Sequence, residues 1–143
     1  MKTVLLFFRA TPLLMALGLL VFSTTPLLQS CTAGPDPIGL QNATNLSTRL
    51  TTLMGKATEA FSKHSDDIKK VSADLLKAEE HAAAQKKNAE IASSWKILRT
   101  EQVEPFLLRW KEGKLDKDFV KEATAQVQKS LDAIKKAEQG KGK

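Results

Sequence analysis

Apolar residues recur at alternating spacings of four and three through most of this 143-residue chain beyond position 45. That is the period of an α-helix that buries one face. Leu46, Leu50, Leu53, Ala57 and Phe61 form a first run. Ile68, Val71, Leu75, Ala78, Ala82, Gln85, Ala89 and Ala92 form a second, continued by Trp95 and Leu98. Phe119, Val120, Ala123, Val127, Leu131 and Ile134 form a third. Nothing reads as a strand. The pattern predicts an all-α fold, a small up-down helical bundle of three main helices plus a short one. The sustained seven-residue spacing adds a coiled-coil-like seam.

Local signals set the expected boundaries. Residues 32–39 carry two prolines and two glycines and predict an irregular tether. Asn42-Ala43-Thr44 and Asn45-Leu46-Ser47 match the N-glycosylation pattern, but read better as polar residues leading into a helix, with Thr44 or Asn45 as N-cap. Gly55 weakens the first helix without stopping it. Ser65 is expected to cap a second helix whose first turn carries Asp66 and Asp67. That helix is expected to run from Asp66 to Gln102, a rod of about 55 Å at ~1.5 Å per residue. Its seam is thin through Ala78, Ala82, Ala89 and Ala92. An alternative is therefore an extended hairpin that completes its core as a homodimer. Pro105 is expected to break the rod and to open a short helix through Lys111. Gly113 ends that helix, and Asp116 or its neighbour opens the last one. Residues 139–143 are expected to fray as a basic tail.

Cys31 is the single cysteine, so no disulfide or thiolate metal site forms within one chain and packing must supply stability. It follows a segment with Lys2 and Arg9 at its start and apolar residues dominant from Pro12 to Leu28, the arrangement of a signal peptide. The clean apolar core, about Pro12 to Phe22, falls short of the ~20 residues a membrane span needs. Leu27-Leu28-Gln29-Ser30-Cys31 resembles the lipobox of bacterial lipoproteins. The resemblance implies cleavage between Ser30 and Cys31 and conversion of Cys31 to a lipid-modified first residue bearing palmitate or a similar acyl chain. It further implies that Thr32, where an aspartate would favour inner-membrane retention in enteric-type bacteria, permits sorting to the outer membrane, facing the periplasm. The expected organisation is a signal peptide at 1–30, a lipidated cysteine and tether at 31–41, the bundle at 42–138 and the tail at 139–143.

The net charge is +6, two of which come from Lys2 and Arg9, leaving +4 for the remainder. Lysine pairs at Lys69-Lys70, Lys86-Lys87 and Lys135-Lys136 alternate with glutamates, as on solvated helix faces. Contact with anionic lipid or a cell-wall polyanion is the functional alternative. A chain exported behind a signal peptide is not expected to meet nucleic acid.

No motif for catalysis stands out. There is no Gly-x-Ser-x-Gly elbow, phosphate loop or dinucleotide fingerprint. His64 and His81 lie near acidic residues in sequence, but those neighbours point around the helix rather than converging. No metal or cofactor is expected, and both histidines read as helix surface. Trp95, Phe106 and Trp110 gather near Pro105 with Arg99 and Arg109. Core packing at a helix junction is one reading. A partner-binding anchor made of Trp95, Arg99, Arg109 and Trp110 is the other, since Trp and Arg dominate interface hot spots.

These observations predict a non-enzymatic envelope lipoprotein that works by tethering and protein contact, as a scaffold, assembly factor, or exclusion or immunity protein with an envelope partner. Leu98-Arg99-Thr100-Glu101-Gln102 is similar to the Leu-Thr-x-x-Gln signature of small helical periplasmic chaperones and stress sensors. That similarity supports a second expectation, a module that binds unfolded or hydrophobic clients.

Overall fold

A computed structural model describes residues 34–141. The signal segment, the tether start with Ser30 and Cys31, and residues 142 and 143 lie outside the described residues. Five α-helices follow in order: α1 (Pro37–Met54), α2 (Ser65–Ala84), α3 (Ala89–Ile97), α4 (Glu104–Glu112) and α5 (Lys117–Gly140). A 3-10 turn spans Phe61–His64, and a π-helical segment, Leu98–Val103, joins α3 to α4 without interruption. There are thus four rods and, among the described residues, no strand. The all-α bundle expected from the periodicity is present, with four rods in place of three and a short one.

The rods alternate in direction and close into a ring, α1 against α2 and α5, and the third rod against α2 and α5. Cross-links show the register. Arg49 on α1 pairs with Asp74 on α2, and Arg99 on the third rod reaches Glu79 on α2 at 2.7 Å. Ser47 on α1 donates to Gln128 Oε1 on α5 at 3.0 Å, and Gln102 Nε2 donates to Ser130 Oγ at 2.9 Å. The three periodic runs supply the core. Leu46, Leu50 and Leu53 meet Ile68, Val71 and Leu75, with Val127, Leu131 and Ile134 from α5.

Four boundaries differ from the sequence expectation. First, α1 begins at Pro37, well before Thr44. Asp36 is its N-cap, and one carboxylate oxygen accepts from the Ile38 and Gly39 amides at 3.1 and 3.0 Å. Pro37 fits the first turn because its missing amide is one the helix start leaves unbonded. The same helix stops at Met54, with Gly55 as its C-cap.

Second, α2 starts at Ser65 without a side-chain cap; the Ser65 hydroxyl instead donates to the Ser62 carbonyl at 2.8 Å. Third, the long rod breaks at 85–88 in the middle of the alanine seam. Lys87 takes a left-handed φ of 60°. Asn88 is buried and closes the end of α2 by donating to the Ala82 carbonyl at 3.1 Å. A seam of methyl groups gives that stretch little burial to lose on turning.

Fourth, Pro105 does not end the helix. The turn before it widens to π register, with the Glu104 amide bonded to the Arg99 carbonyl. A proline ring clashes with the carbonyl four residues back in an α-helix. The ladder changes register immediately before Pro105, which relieves that contact and leaves the missing donor where no regular bond is required.

The two poles of the bundle are closed differently. At one, Trp110 is fully buried and its indole donates to the Glu59 carbonyl at 2.9 Å. Phe61 meets Trp110 edge-on at 5.4 Å, and the Leu115 amide bonds the Ala57 carbonyl at 2.9 Å. At the other pole, His81 Nε2 lies 2.8 Å from Asp36 Oδ2, and the buried Glu138 carboxylate pairs with Lys141. α5 therefore stays helical through Gly140 instead of fraying at Gln139. Burial opposes ionisation of Asp36, yet the Gly39 amide, the His81 hydrogen bond and the charges of His81 and Lys141 outweigh it and hold the carboxyl below its usual range.

Gly39 makes this pole possible. A Cβ there would stand 2.6 Å from Glu138 Oε1 and 2.9 Å from Asp36 Oδ2. Gly39→Ala should destabilise the fold by about 1–3 kcal/mol, the cost of overpacking, read as a lower urea midpoint at unchanged slope. Asp36 contributes stability that is present above its unfolded pKa and lost as pH falls through the depressed folded value. Asp36→Asn should therefore lower stability at pH 7 and flatten its decline between about pH 5 and pH 2, measured by urea unfolding across that range.

Candidate functional site

The π segment and α4 run beside the first half of α5, and a cleft of about 540 Å³ opens between them. Phe106, buried on α4, and Phe119, half-buried on α5, form its floor as parallel rings 6.1 Å apart with 8° between their planes. Val127 and Ala123 extend that floor along α5, and Pro105 forms part of the opposite wall. Arg109 lies with its guanidinium carbon 4.4 Å from the Phe119 ring centre, a cation–π contact. Glu101, Glu122 and Gln126 complete the rim. Gln102 closes one end, held by its exchange of hydrogen bonds with Ser130, at 2.9 Å and 3.1 Å.

Each wall has a local cause. The π turn inserts one extra residue per cycle and so turns Glu101 and Gln102 toward α5. α5 begins at Lys117 because Asp116 caps it, accepting from the Asp118 and Phe119 amides at 2.8 and 3.1 Å. Those same amides, Phe119 first, hold the Asp116 carboxyl below its usual range. The cap fixes Phe119 in the first turn, which places its ring against Phe106.

The four residues read as a contact anchor are not brought together as one. Trp95 and Trp110 are 1% and 0% exposed, so their indoles belong to the core and neither meets a partner. Arg99 is occupied, bonded to Glu79 and Glu104, and those two carboxylates, Glu79 first, raise its pKa further. It ties α2 to the start of α4. Arg109 alone stands on the cleft. Phe119, Glu101, Glu122 and Gln126 join it there. Phe119 carried a signal as a core position. Nothing in the sequence pairs it with Arg109, ten residues earlier and across a turn. Ser30 and Cys31 lie outside the described residues.

The chemistry on offer is an apolar floor with a rim of one cation, two carboxylates and an amide. None of the lining residues is a serine, cysteine or histidine. Among the described residues, no group of three or more histidine, cysteine, aspartate or glutamate side chains is placed to hold a metal ion. His81 does converge with a carboxylate, but that partner, Asp36, is 45 residues away, and the two serve as a polar clasp. His64 sits against the Trp110 ring at 5.6 Å with Glu59 3.2 Å from its Nε2. No protein family model, curated protein or solved structure matches the chain.

The buried tryptophans make a clear expectation. Trp110→Phe removes the indole bond to Glu59 and leaves that carbonyl without its donor. It should lower stability by about 1–3 kcal/mol while leaving the cleft side chains in place. Thermal unfolding followed by circular dichroism measures the first part. The second is read as unchanged contact behaviour of Arg109 in the crosslinking experiment below.

Proposed function

We propose that this chain is a bacterial envelope lipoprotein, held to a membrane through an acylated Cys31, whose bundle acts by contact and not by catalysis. The observation that carries the reading is the spacing of two features. A lipobox-like Leu28-Gln29-Ser30-Cys31 is followed, five residues on, by the cap of a folded helix at Asp36. In this reading a signal, an anchor and a compact domain follow one another directly. Outer-membrane placement facing the periplasm rests on Thr32. Among the described residues no helix is long and apolar enough to cross a membrane.

The contact surface in this reading is the cleft at Arg109. A mixed floor and charged rim suit one partner segment with matching chemistry, in the manner of a scaffold, assembly or exclusion protein. They suit a range of unfolded clients less well, since those call for a broader apolar surface. Leu98 and Gln102 of the chaperone-like pentapeptide are used inside the fold, Leu98 in the core and Gln102 in its bond with Ser130. The first half of the thin seam is covered without a second copy, while Ala89 is exposed and Ala92 half-buried. Ala78 and Ala82 are buried within one chain, by the third rod folding back along α2.

Two experiments test the reading. Cells expressing the full chain should incorporate labelled palmitate, globomycin should shift the protein to its unprocessed length, and Cys31→Ala should abolish the label. Retention of an unlabelled, soluble product by the wild type would overturn it. For the cleft, a photo-crosslinker at Gln126 should capture one envelope protein in stoichiometric yield. Arg109→Ala should weaken that association by about 2 kcal/mol, roughly thirtyfold, with no change in melting temperature. Equal capture by the variant would remove the cleft as the contact surface.

A further inference from the structure

The pole at which α1 begins is also where α2 ends, α3 begins and α5 ends. The first described residue, Gly34, is three residues from Cys31. Three residues of fully extended chain span at most about 11 Å, at ~3.6 Å each. Polar headgroup layers take up roughly 5–8 Å on each side of a bilayer's hydrocarbon. An acyl group on Cys31 therefore leaves this pole almost no clearance from the lipid. The chain cannot lengthen the tether cheaply either, because Asp36 is fixed both as the α1 cap and by His81.

The groups at this pole suit such a neighbour. Its two inward carboxylates are partnered within the fold, Asp36 by His81 and Glu138 by Lys141. Lys86 and Lys136 are exposed there, and Ile38 stands 55% exposed beside the tether. Glu90, in the first turn of α3, and Glu80 are the acidic groups left outward-facing near them. The opposite pole carries Asp66, Asp67, Asp116 and Asp118 in or beside the first turns of α2 and α5. Lys63, Lys111, Lys114 and Lys117 share that far pole, so the two ends do not differ in the sign of their charge; what singles out the pole of Lys86 and Lys136 is its short reach from Cys31. We propose that the pole bearing Lys86, Lys136 and Ile38 is a membrane-contact face that rests on an anionic lipid surface and orients the cleft away from it. Lysines near such a surface are attracted within a Debye length, and an exposed isoleucine adds a shallow apolar contact.

The inference rests on acylation of Cys31 for its geometry. The test separates the two. The lipidated full-length product, its acylation checked by intact mass, is placed in vesicles of phosphatidylglycerol and phosphatidylethanolamine, or of phosphatidylcholine. Lysines are then acetylated with a water-soluble reagent and mapped by mass spectrometry. Lys86 and Lys136 should react about threefold or more slowly on the anionic vesicles than on phosphatidylcholine, while Lys63 and Lys114 at the far pole react alike on both. Lys86→Glu with Lys136→Glu, both on exposed positions, should abolish binding of the unacylated chain to phosphatidylglycerol vesicles without lowering the melting temperature. Equal rates at both poles on both vesicles would overturn the proposal. A product without acyl groups would instead defeat the anchoring reading. The unacylated chain mixed with phosphatidylglycerol vesicles then decides the surface alone: protection of Lys86 and Lys136 that salt abolishes supports it, and no binding overturns it.

Discussion

The pairing of α1 with α5 is the contact on which the rest of the bundle depends. These helices are first and last in the described fold, so nothing local in sequence brings them together. Their apolar faces, Leu46 and Leu50 against Val127, Leu131 and Ile134, close the ring that α1, α2 and the third rod leave open. Register along this seam is set by polar contacts as much as by area. Ser47 meets Gln128 partway along, and Gly39 meets Glu138 at the end. Only a glycine lets the two backbones approach closely enough for a carboxylate to be buried between them. Without a disulfide available, this seam carries the long-range closure that a cross-link gives many small domains.

Closing the ring leaves two ends to seal, and the solutions divide by chemistry. One end is filled by rings, with Phe61, Trp110, Phe106 and Phe119 in successive contact. The other is filled by ion pairs. Their physical consequences differ. The aromatic end is held mainly by ring contacts, and its outermost rings form the floor of the cleft. The polar end depends on ionised Asp36. It also keeps Asp36 and Glu138 inside and Lys86 and Lys136 outside. In the proposed setting the two ends have separate tasks, one toward lipid and one toward a partner.

The third rod shows how a local conflict is absorbed. Pro105 opposes a continuous helix, yet Trp95, Leu98, Val103, Phe106 and Trp110 are all buried by one. Burying five large side chains outweighs a single missing hydrogen bond, and the π turn relieves the steric part. The same turn aims Glu101 and Gln102 at α5. The cleft is in that sense a by-product of fitting a proline into a helix the core requires.

Helix periodicity, the caps at Asp116 and the apolar faces were legible in the sequence because each rests on residues within a few positions of one another. Burial of Trp95 and Trp110 was one of two readings there, and periodicity could not choose between them because a hot spot and a core position share the same spacing. The break at 85–88 and the survival of the helix through Pro105 were not legible, since each is decided by partners more than a turn away: the third rod folding back on α2 and the core behind Pro105. The early start at Asp36 is written locally, in an aspartate cap followed by a first-turn proline, but the prolines and glycines of residues 32–39 read as a tether. The amino-acid sequence alone determined that this chain buries helices, has no covalent cross-link within it and carries a lipobox-like cysteine just ahead of them. Tertiary structure alone decided which helices are continuous, that Arg109 and Phe119 share a cleft, and that lysines face out where the chain leads to Cys31. Periodicity reports what each helix must hide, whereas the energy of closing one helix against another decides what is left outside.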